Sequence, residues 1–200
     1  VKIDISKYKH IIWDWNGTLL DDCQLNIDLI NEFLLKRNLC TVTKDQYLDI
    51  FGFPIYDYYC KLGFDFEAEF FESISNAFVD TYDSRCFTCR LQRDAEAVLK
   101  AFENRGLTQS ILSAYYQDSL EKAVKHHGIE KYFIRLIGLE NKHAAGKAEN
   151  GKRWIKELGC NPGKVLFIGD TVHDFEVSQV IGCDCLLVAS GHQCRKRLEA

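Results

Sequence analysis

The 200-residue chain has no methionine, two prolines and no long hydrophobic run. The missing methionine separates no fold class from another. Its longest apolar stretches, such as Val165-Leu166-Phe167-Ile168, fall far short of the roughly 20 residues needed to cross a bilayer, so no membrane partner is expected. The opening residues VKIDISKYKH lack the apolar centre of a secretory signal, which leads us to expect a cytoplasmic protein. There is no long basic run, and with 25 Lys and Arg against 29 Asp and Glu the net charge is -4. The isoelectric point near 5.9 leaves no electrostatic footprint for nucleic acid or an anionic membrane surface. The nine cysteines show no regular framework, and a chain this long does not need disulfide staples, so they are expected to be reduced. Cys86-Phe87-Thr88-Cys89 and Cys183-Asp184-Cys185 lack the second, regularly spaced pair that a structural zinc site requires. No internal repeat, low-complexity tract or disordered linker is present. What remains is small-molecule chemistry on a globular scaffold, and the sequence leaves the oligomeric state open.

The apolar content is ample for a core, at 46% of residues. Short β-branched or aromatic runs at 10–13, 109–112, 133–137, 165–168 and 185–188 predict buried strands. Helical patterns lie between the later ones: 116–127 stopping at Gly128, 148–158 stopping at Gly159 with Pro162 beyond, and 174–181 stopping at Gly182. Strand and helix in alternation imply a doubly wound parallel α/β sheet covered on both faces, a Rossmann-like core. The first connection, from Asp14 to Ser113, is about three times as long as an ordinary strand-helix-strand unit of roughly 30 residues. A helix over 92–105 can serve as the crossover, which makes residues 20–90 an insertion between two parts of the core, 1–19 and 91–200. The insertion reads as helical. Ile27, Ile30, Phe33 and Leu34 form one stripe, Phe70, Ile74, Phe78 and Tyr82 another, and Thr43-Lys44-Asp45-Gln46 is a capping box that opens a short helix ending near Gly52 and Pro54.

Ligands of open parallel sheets bind beyond the carboxyl ends of the strands. The residues there are Asp14, Ser113, the stretch from Gly138 to Lys147, and the pair Asp170 and Asp174. Carboxylates grouped with a hydroxyl and a lysine suit Mg²⁺ and a phosphoryl group better than zinc or a glycine-rich nucleotide loop. The segments Asp14-Trp15-Asn16-Gly17-Thr18 and Gly169-Asp170-Thr171-Val172-His173-Asp174, with the apolar run into Ser113 and a lysine at Lys147, together resemble the four motifs of the haloacid dehalogenase-like hydrolase superfamily. The resemblance spans essentially the whole chain. The helical insertion is similar to that superfamily's type C1 cap, as in phosphoglycolate-phosphatase-like members.

This resemblance implies a phosphatase of a small phosphorylated metabolite. Asp14 would attack phosphorus and form an aspartyl-phosphate that water then hydrolyses. Mg²⁺ would be held by Asp14, the main-chain carbonyl of Asn16, Asp170 and Asp174. The Thr18 and Ser113 hydroxyls, backbone amides near Gly17 and Ala114, and Lys147 would hold the phosphoryl oxygens. Lys142 and Lys152 are alternatives to Lys147 by distance along the chain.

The departure from the pattern is Asn16, where the superfamily's phosphatases carry a second aspartate as general acid and base. An amide cannot deliver a proton, and such help is worth about 10²–10⁴-fold. Three outcomes are open: a phosphatase that is slow or restricted to good leaving groups, a phosphatase whose proton comes from another group such as His173, or a phosphate-metabolite binding or regulatory protein with a degraded site. Dehalogenases and phosphonate hydrolases of the superfamily also replace this aspartate. The Asp170 and Asp174 pair argues for keeping the metal that dehalogenases dispense with, and a phosphonate hydrolase would need a cap lysine, for which Lys36, Lys44 and Lys61 are available. Asp21 and Asp22 read as caps of the first inserted helix, with Asp21 near the expected cavity mouth. Phe51-Gly52-Phe53-Pro54-Ile55-Tyr56 reads either as a rigid loop facing substrate or as packing among the inserted helices.

Overall fold

The computed structural model describes residues 4–140 and 146–200. Five parallel strands form the central sheet: β1 (His10–Trp13), β4 (Thr108–Tyr116), β5 (Arg135–Leu139), β6 (Val165–Gly169) and β7 (Asp184–Leu187), in the spatial order β5-β4-β1-β6-β7. The central strands β1 and β6 are buried along their whole length, because helices cover both faces and leave no solvent side on which polar residues would alternate. Successive side chains of a strand point to opposite faces. Ile11, Ile111 and Leu166 therefore join one core with Leu99 of α5 (Ala95–Glu103) and Leu120 and Val124 of α6 (Gln117–His126). Ile12, Leu112 and Phe167 join the other with Trp154 of α7 (Lys147–Leu158) and Val177 and Ile181 of α8 (Val172–Ile181).

Two strands differ from the sequence reading. β4 runs on through Tyr116 where the apolar run suggested a stop near Ser113, since Tyr115 and Tyr116 suit an extended strand and its pairing with β5 resumes, after a register shift, at Tyr116 and Leu139. β5 crosses so close that a Cβ on Gly138 would lie 2.7 Å from the Tyr115 carbonyl, so only glycine fits there. β5 itself starts at Arg135 rather than 133, because a 3-10 turn over Glu130–Tyr132 first turns the chain into line.

The inserted segment holds α1 (Cys23–Leu35), α2 (Lys44–Ile50), α3 (Ile55–Lys61) and α4 (Phe71–Arg85). Ile27, Ile30, Phe33, Tyr47, Tyr58 and Ile74 close a separate apolar core among them. The predicted capping box is present, with Thr43 Oγ1 accepting from the Gln46 amide and Gln46 Oε1 accepting from the Thr43 amide. Phe70 does not join the α4 stripe. It precedes the first helical turn and is 77% exposed, while Phe71 packs against the core. A two-residue antiparallel ladder between β2 (Leu20–Asp21) and β3 (Arg90–Leu91) ties the entry of the insertion to its exit. A ladder this short leaves no periodicity to read. The short helix α9 (Arg195–Leu198) closes the described chain, and among the described residues no helix is long and apolar enough to cross a membrane.

Candidate active site

Asp14 follows β1, Ser113 lies in β4, Lys147 opens α7, and Asp170 and Asp174 flank the start of α8. The parallel sheet brings all five to its carboxyl edge. Lys147 Nζ donates to Asp14 Oδ1 at 2.5 Å and to Asp174 Oδ1 at 2.6 Å. The second Asp174 oxygen accepts from the Thr171 amide and hydroxyl and from the Asp170 amide, so this carboxylate caps α8 with one oxygen and holds the lysine with the other. Asp170 accepts from the Thr18 hydroxyl at 2.9 Å and from the His192 amide at 2.7 Å.

Asp14, Asp170 and Asp174 each present a carboxylate oxygen within 4.8 Å of the others, and all three are buried. One lysine does not balance three carboxylates. Burial pushes the Asp14 carboxyl up to about 8, with Asp174 and Asp170 adding to the rise against the pull of Lys147. Burial also raises Asp170 to about 6. For Asp174 burial acts in the same sense, but the contact with Lys147 and the bonds from Thr171 outweigh it and hold the group below the usual range. Lys147 is burdened by burial and still held above its ordinary value by Asp14 and Asp174. Negative charge confined by oxygen donors alone, with no histidine or cysteine among them, fits a hard divalent cation of the Mg²⁺ type.

Ser113 and Ala114 line the cavity beside Asp14, and the Ser113 hydroxyl accepts from the Tyr115 amide. Thr18 and Gly17 are positioned differently from their expected phosphate-binding roles. Neither lines the cavity. The Thr18 hydroxyl is committed to Asp170, and the Gly17 amide donates to Asp22 Oδ1 at 2.8 Å. Gly17 has φ +73°, and a Cβ there would fall 2.6 Å from the His192 ring; the backbone conformation and the close approach both call for glycine. Lys152 is exposed and paired with Glu149, and Lys142 lies outside the described residues.

The Asn16 side chain lines the cavity, but its amide is turned to a partner that the sequence did not reveal. Its nitrogen donates to Asp22 Oδ2 at 2.8 Å and to Tyr82 Oη at 2.7 Å, and Tyr82 Oη in turn donates to Asp22 Oδ2 at 2.6 Å. Asp22 stands at the start of α1 without capping it. Its carboxylate is fully buried and also accepts from Asn26 and from His192 Nε2, the latter at 3.1 Å. Burial opposes its charge, yet His192, Tyr82 and Asn16 together hold the Asp22 carboxyl below its ordinary range. His192 is likewise burdened by burial, yet Asp22 holds it well above the ordinary imidazole value, and its Nδ1 meets Tyr47 Oη at 2.8 Å. A carboxylate thus does lie beside residue 16, six positions along the chain. Neither Asp22 nor His192 carries a recognisable local signal, since an acid before a helix and a histidine after a Ser-Gly pair are both common.

Asp21 is exposed in β2. His173, expected as a substitute proton source, stacks on Phe53 with ring centres 4.6 Å apart, approaches Glu176 and faces a separate hollow rather than the cavity. All nine cysteines are free. Among the described residues the acidic trio is the sole cluster of metal-ligand type.

The cavity has a volume of about 160 Å³ and reaches from Asp14 into the inserted helices. Phe51 and Phe53 of the Gly-Pro loop line it, and Phe51 also packs on Tyr47 and His192. The loop therefore faces the cavity and packs among the helices at once. Lys36, Lys44 and Lys61 are exposed and do not line it, so no lysine of the insertion is poised for the Schiff base of a phosphonate hydrolase.

A sequence model of the haloacid dehalogenase-like hydrolases matches residues 11–188. Pyrophosphatase PpaX of Oceanobacillus iheyensis is 23% identical over 170 residues, covering 84% of this chain and 78% of the relative. A haloacid dehalogenase-like family hydrolase from Streptococcus pneumoniae superposes with a TM-score of 0.80 at 16% identity, covering 97% of this chain and 90% of the other. A predicted phosphoglycolate phosphatase from Haemophilus somnus superposes with a TM-score of 0.72 at 19% identity, covering 96% and 90%. At these identities the superpositions establish a shared fold.

Proposed function

The chain belongs to the haloacid dehalogenase-like hydrolases, and from that membership we propose that it is a Mg²⁺-dependent phosphatase of a small phosphorylated metabolite, working through an aspartyl-phosphate on Asp14. The observation that carries this reading is the buried contact of Lys147 with both Asp14 and Asp174, beside Asp170, at the floor of the cavity. Pyrophosphatase and phosphatase relatives support the reaction class.

Asp14, Asp170 and Asp174, with the Asn16 carbonyl, would hold Mg²⁺, which when bound screens the charge of a phosphoryl group against the carboxylates. Asp14 supplies the attacking oxygen. Lys147 fixes the orientation of that carboxylate and offsets charge on the phosphoryl oxygens, for which Ser113 and the Ala114 amide are further donors. The inserted helices act as a cap that keeps water from the cavity, with Phe51 and Phe53 at its wall. Asn16 has no proton to give, so the leaving oxygen departs as an anion, and the enzyme is slow or selective for good leaving groups. Nine free cysteines fit a reducing, cytoplasmic compartment.

Phosphate release tests the proposal. Turnover that requires Mg²⁺, stops with chelator and vanishes in Asp14→Asn is the expected result. Tight binding of a phosphate ester by the native protein, with no release in Mg²⁺, would instead identify a binding protein with a degraded site.

A further inference from the structure

The cavity has two walls of opposite character. At the sheet edge stand the carboxylates and the only two cationic side chains among its described lining residues, Lys147 and His192. Both are already engaged, Lys147 by Asp14 and Asp174 and His192 by Asp22. The opposite wall comes from the inserted helices, every residue of which is described. It consists mainly of Ile30, Phe51, Phe53, Tyr58, Phe78 and Val79; its polar groups are neutral, including Ser75, Asn26, whose amide is spent on Asp22, and the unpartnered Tyr58 hydroxyl, and it holds no lysine or arginine.

Resting on the phosphatase reading above, we infer that the substrate is the phosphate monoester of a small, uncharged aromatic alcohol of phenol type, its ring held against the apolar wall. Three observations converge on this. The first is charge. A carboxylate or second phosphate on the leaving group would be buried against that wall without a cation, and an unpaired buried charge is strongly disfavoured. Substrates of the phosphoglycolate and pyrophosphate kind therefore fit poorly despite the relatives that carry those names. The second is size. About 160 Å³, close to the cavity of about 150 Å³ that takes up benzene in another protein, must hold the phosphoryl group as well, so the alcohol can be no larger than a single ring, and rings such as Phe51 and Phe78 offer the stacking and edge contacts that aromatic guests prefer.

The third is leaving-group chemistry. Both amide protons of Asn16 are spent, one on Asp22 and one on Tyr82. In the transfer an Asp14 oxygen forms a bond to phosphorus, the bond from phosphorus to the ester oxygen breaks, and that oxygen leaves with the electron pair. A phenol has a pKa of about 10, against about 15.7 for water and a similar value for simple alcohols, so the phenoxide can depart unprotonated and take its proton afterwards from water. Water then cleaves the aspartyl-phosphate to give inorganic phosphate and restore Asp14.

The test is phosphate release by the native protein in Mg²⁺ from phenyl phosphate, cyclohexyl phosphate, 4-carboxyphenyl phosphate, phosphoglycolate and pyrophosphate. Phenyl phosphate is expected to exceed cyclohexyl phosphate, phosphoglycolate and pyrophosphate by 100-fold or more in kcat/KM. It is expected to exceed 4-carboxyphenyl phosphate, whose leaving group is at least as acidic, by tenfold or more. Val79→Lys, which adds a cation to the half-buried wall, should narrow that last ratio at least fivefold. Phosphoglycolate or pyrophosphate turned over as fast as phenyl phosphate would overturn the inference and leave the phosphatase reading standing. If nothing is turned over, the phosphatase reading fails, and calorimetry decides the ligand class by itself: phenylphosphonate bound at least tenfold more tightly than phosphonoacetate upholds the aromatic pocket, and equal or reversed affinities overturn it.

Discussion

Asn16→Asp alone should weaken the protein, although it restores the family's usual residue. The reason is Asp22, whose fully buried carboxylate lies 2.8 Å from the Asn16 nitrogen. In the variant an acceptor faces an acceptor. Two unit charges about 4 Å apart repel by about 4 kcal/mol at the effective dielectric typical of proteins. The lost hydrogen bond to a charged group removes about 1.5–3 kcal/mol more, and proton uptake by the pair gives part of this back. A net loss of about 4 kcal/mol at pH 8 corresponds to a fall of roughly 8–16 °C in Tm for a chain of this size. The sign with pH follows from the shared proton. The new pair has a raised folded-state pKa, so the loss is largest above that value and shrinks as the pH is lowered through it. Asp22→Asn alone should also destabilise, since it strands His192. The double variant re-forms the hydrogen bond with donor and acceptor exchanged, so urea unfolding of the four proteins should give a favourable coupling of about 2 kcal/mol or more. Additivity within about 0.5 kcal/mol would refute the contact. The double variant also places an acid at position 16 beside an amide, and a gain of about 100-fold on alkyl phosphates is expected there and not in Asn16→Asp.

Three further outcomes can be measured independently. Mg²⁺ at about 100 times its Kd should stabilise the protein by about 2.7 kcal/mol, seen as a chelator-reversible rise in Tm that Asp170→Asn abolishes; no rise would count against the acidic trio as a metal site. His10 is buried between Thr108 and Ser110, and burial depresses its pKa to about 4. The unfolded chain takes up that proton near pH 6.5, so stability should fall by about 3 kcal/mol as the pH is lowered from 6.5 to 4, and His10→Gln should remove that slope in acid unfolding curves. With no carboxylate at position 16 to activate water, the second chemical step should limit turnover, so rapid mixing with a chromogenic aryl phosphate should show a burst of alcohol of about one per site, whereas a linear time course would place the slow step earlier.

The parallel core was legible because a buried strand writes itself as a short apolar run closed by a turn, as at 10–13 and 165–168, and because strand ends in such a sheet converge on one edge. That convergence puts Asp14, Ser113, Asp170 and Asp174 in one neighbourhood from the sequence, whereas the choice of Lys147 over Lys142 and Lys152 rests on the family resemblance. The capping box at Thr43 was legible for a different reason, its two hydrogen bonds being local. Thr18 and Gly17 follow Asp14 closely in sequence, yet the Thr18 hydroxyl is spent on Asp170 and the Gly17 amide on Asp22, partners that spacing cannot register. His173 lies between the two motif aspartates and points elsewhere, because neighbours on a helix face different sides.

By itself the sequence determined the sheet, the insertion and the identity of the charged groups at the strand ends, since these depend on local pattern and on topology that parallel strands impose. Only the tertiary structure decided what Asn16 does. Its partner Asp22 is joined by the Tyr82 hydroxyl from the last inserted helix and by His192 beyond the last strand, groups that meet through packing across long stretches of chain, and a hydrogen bond made that way leaves no trace in the order of residues.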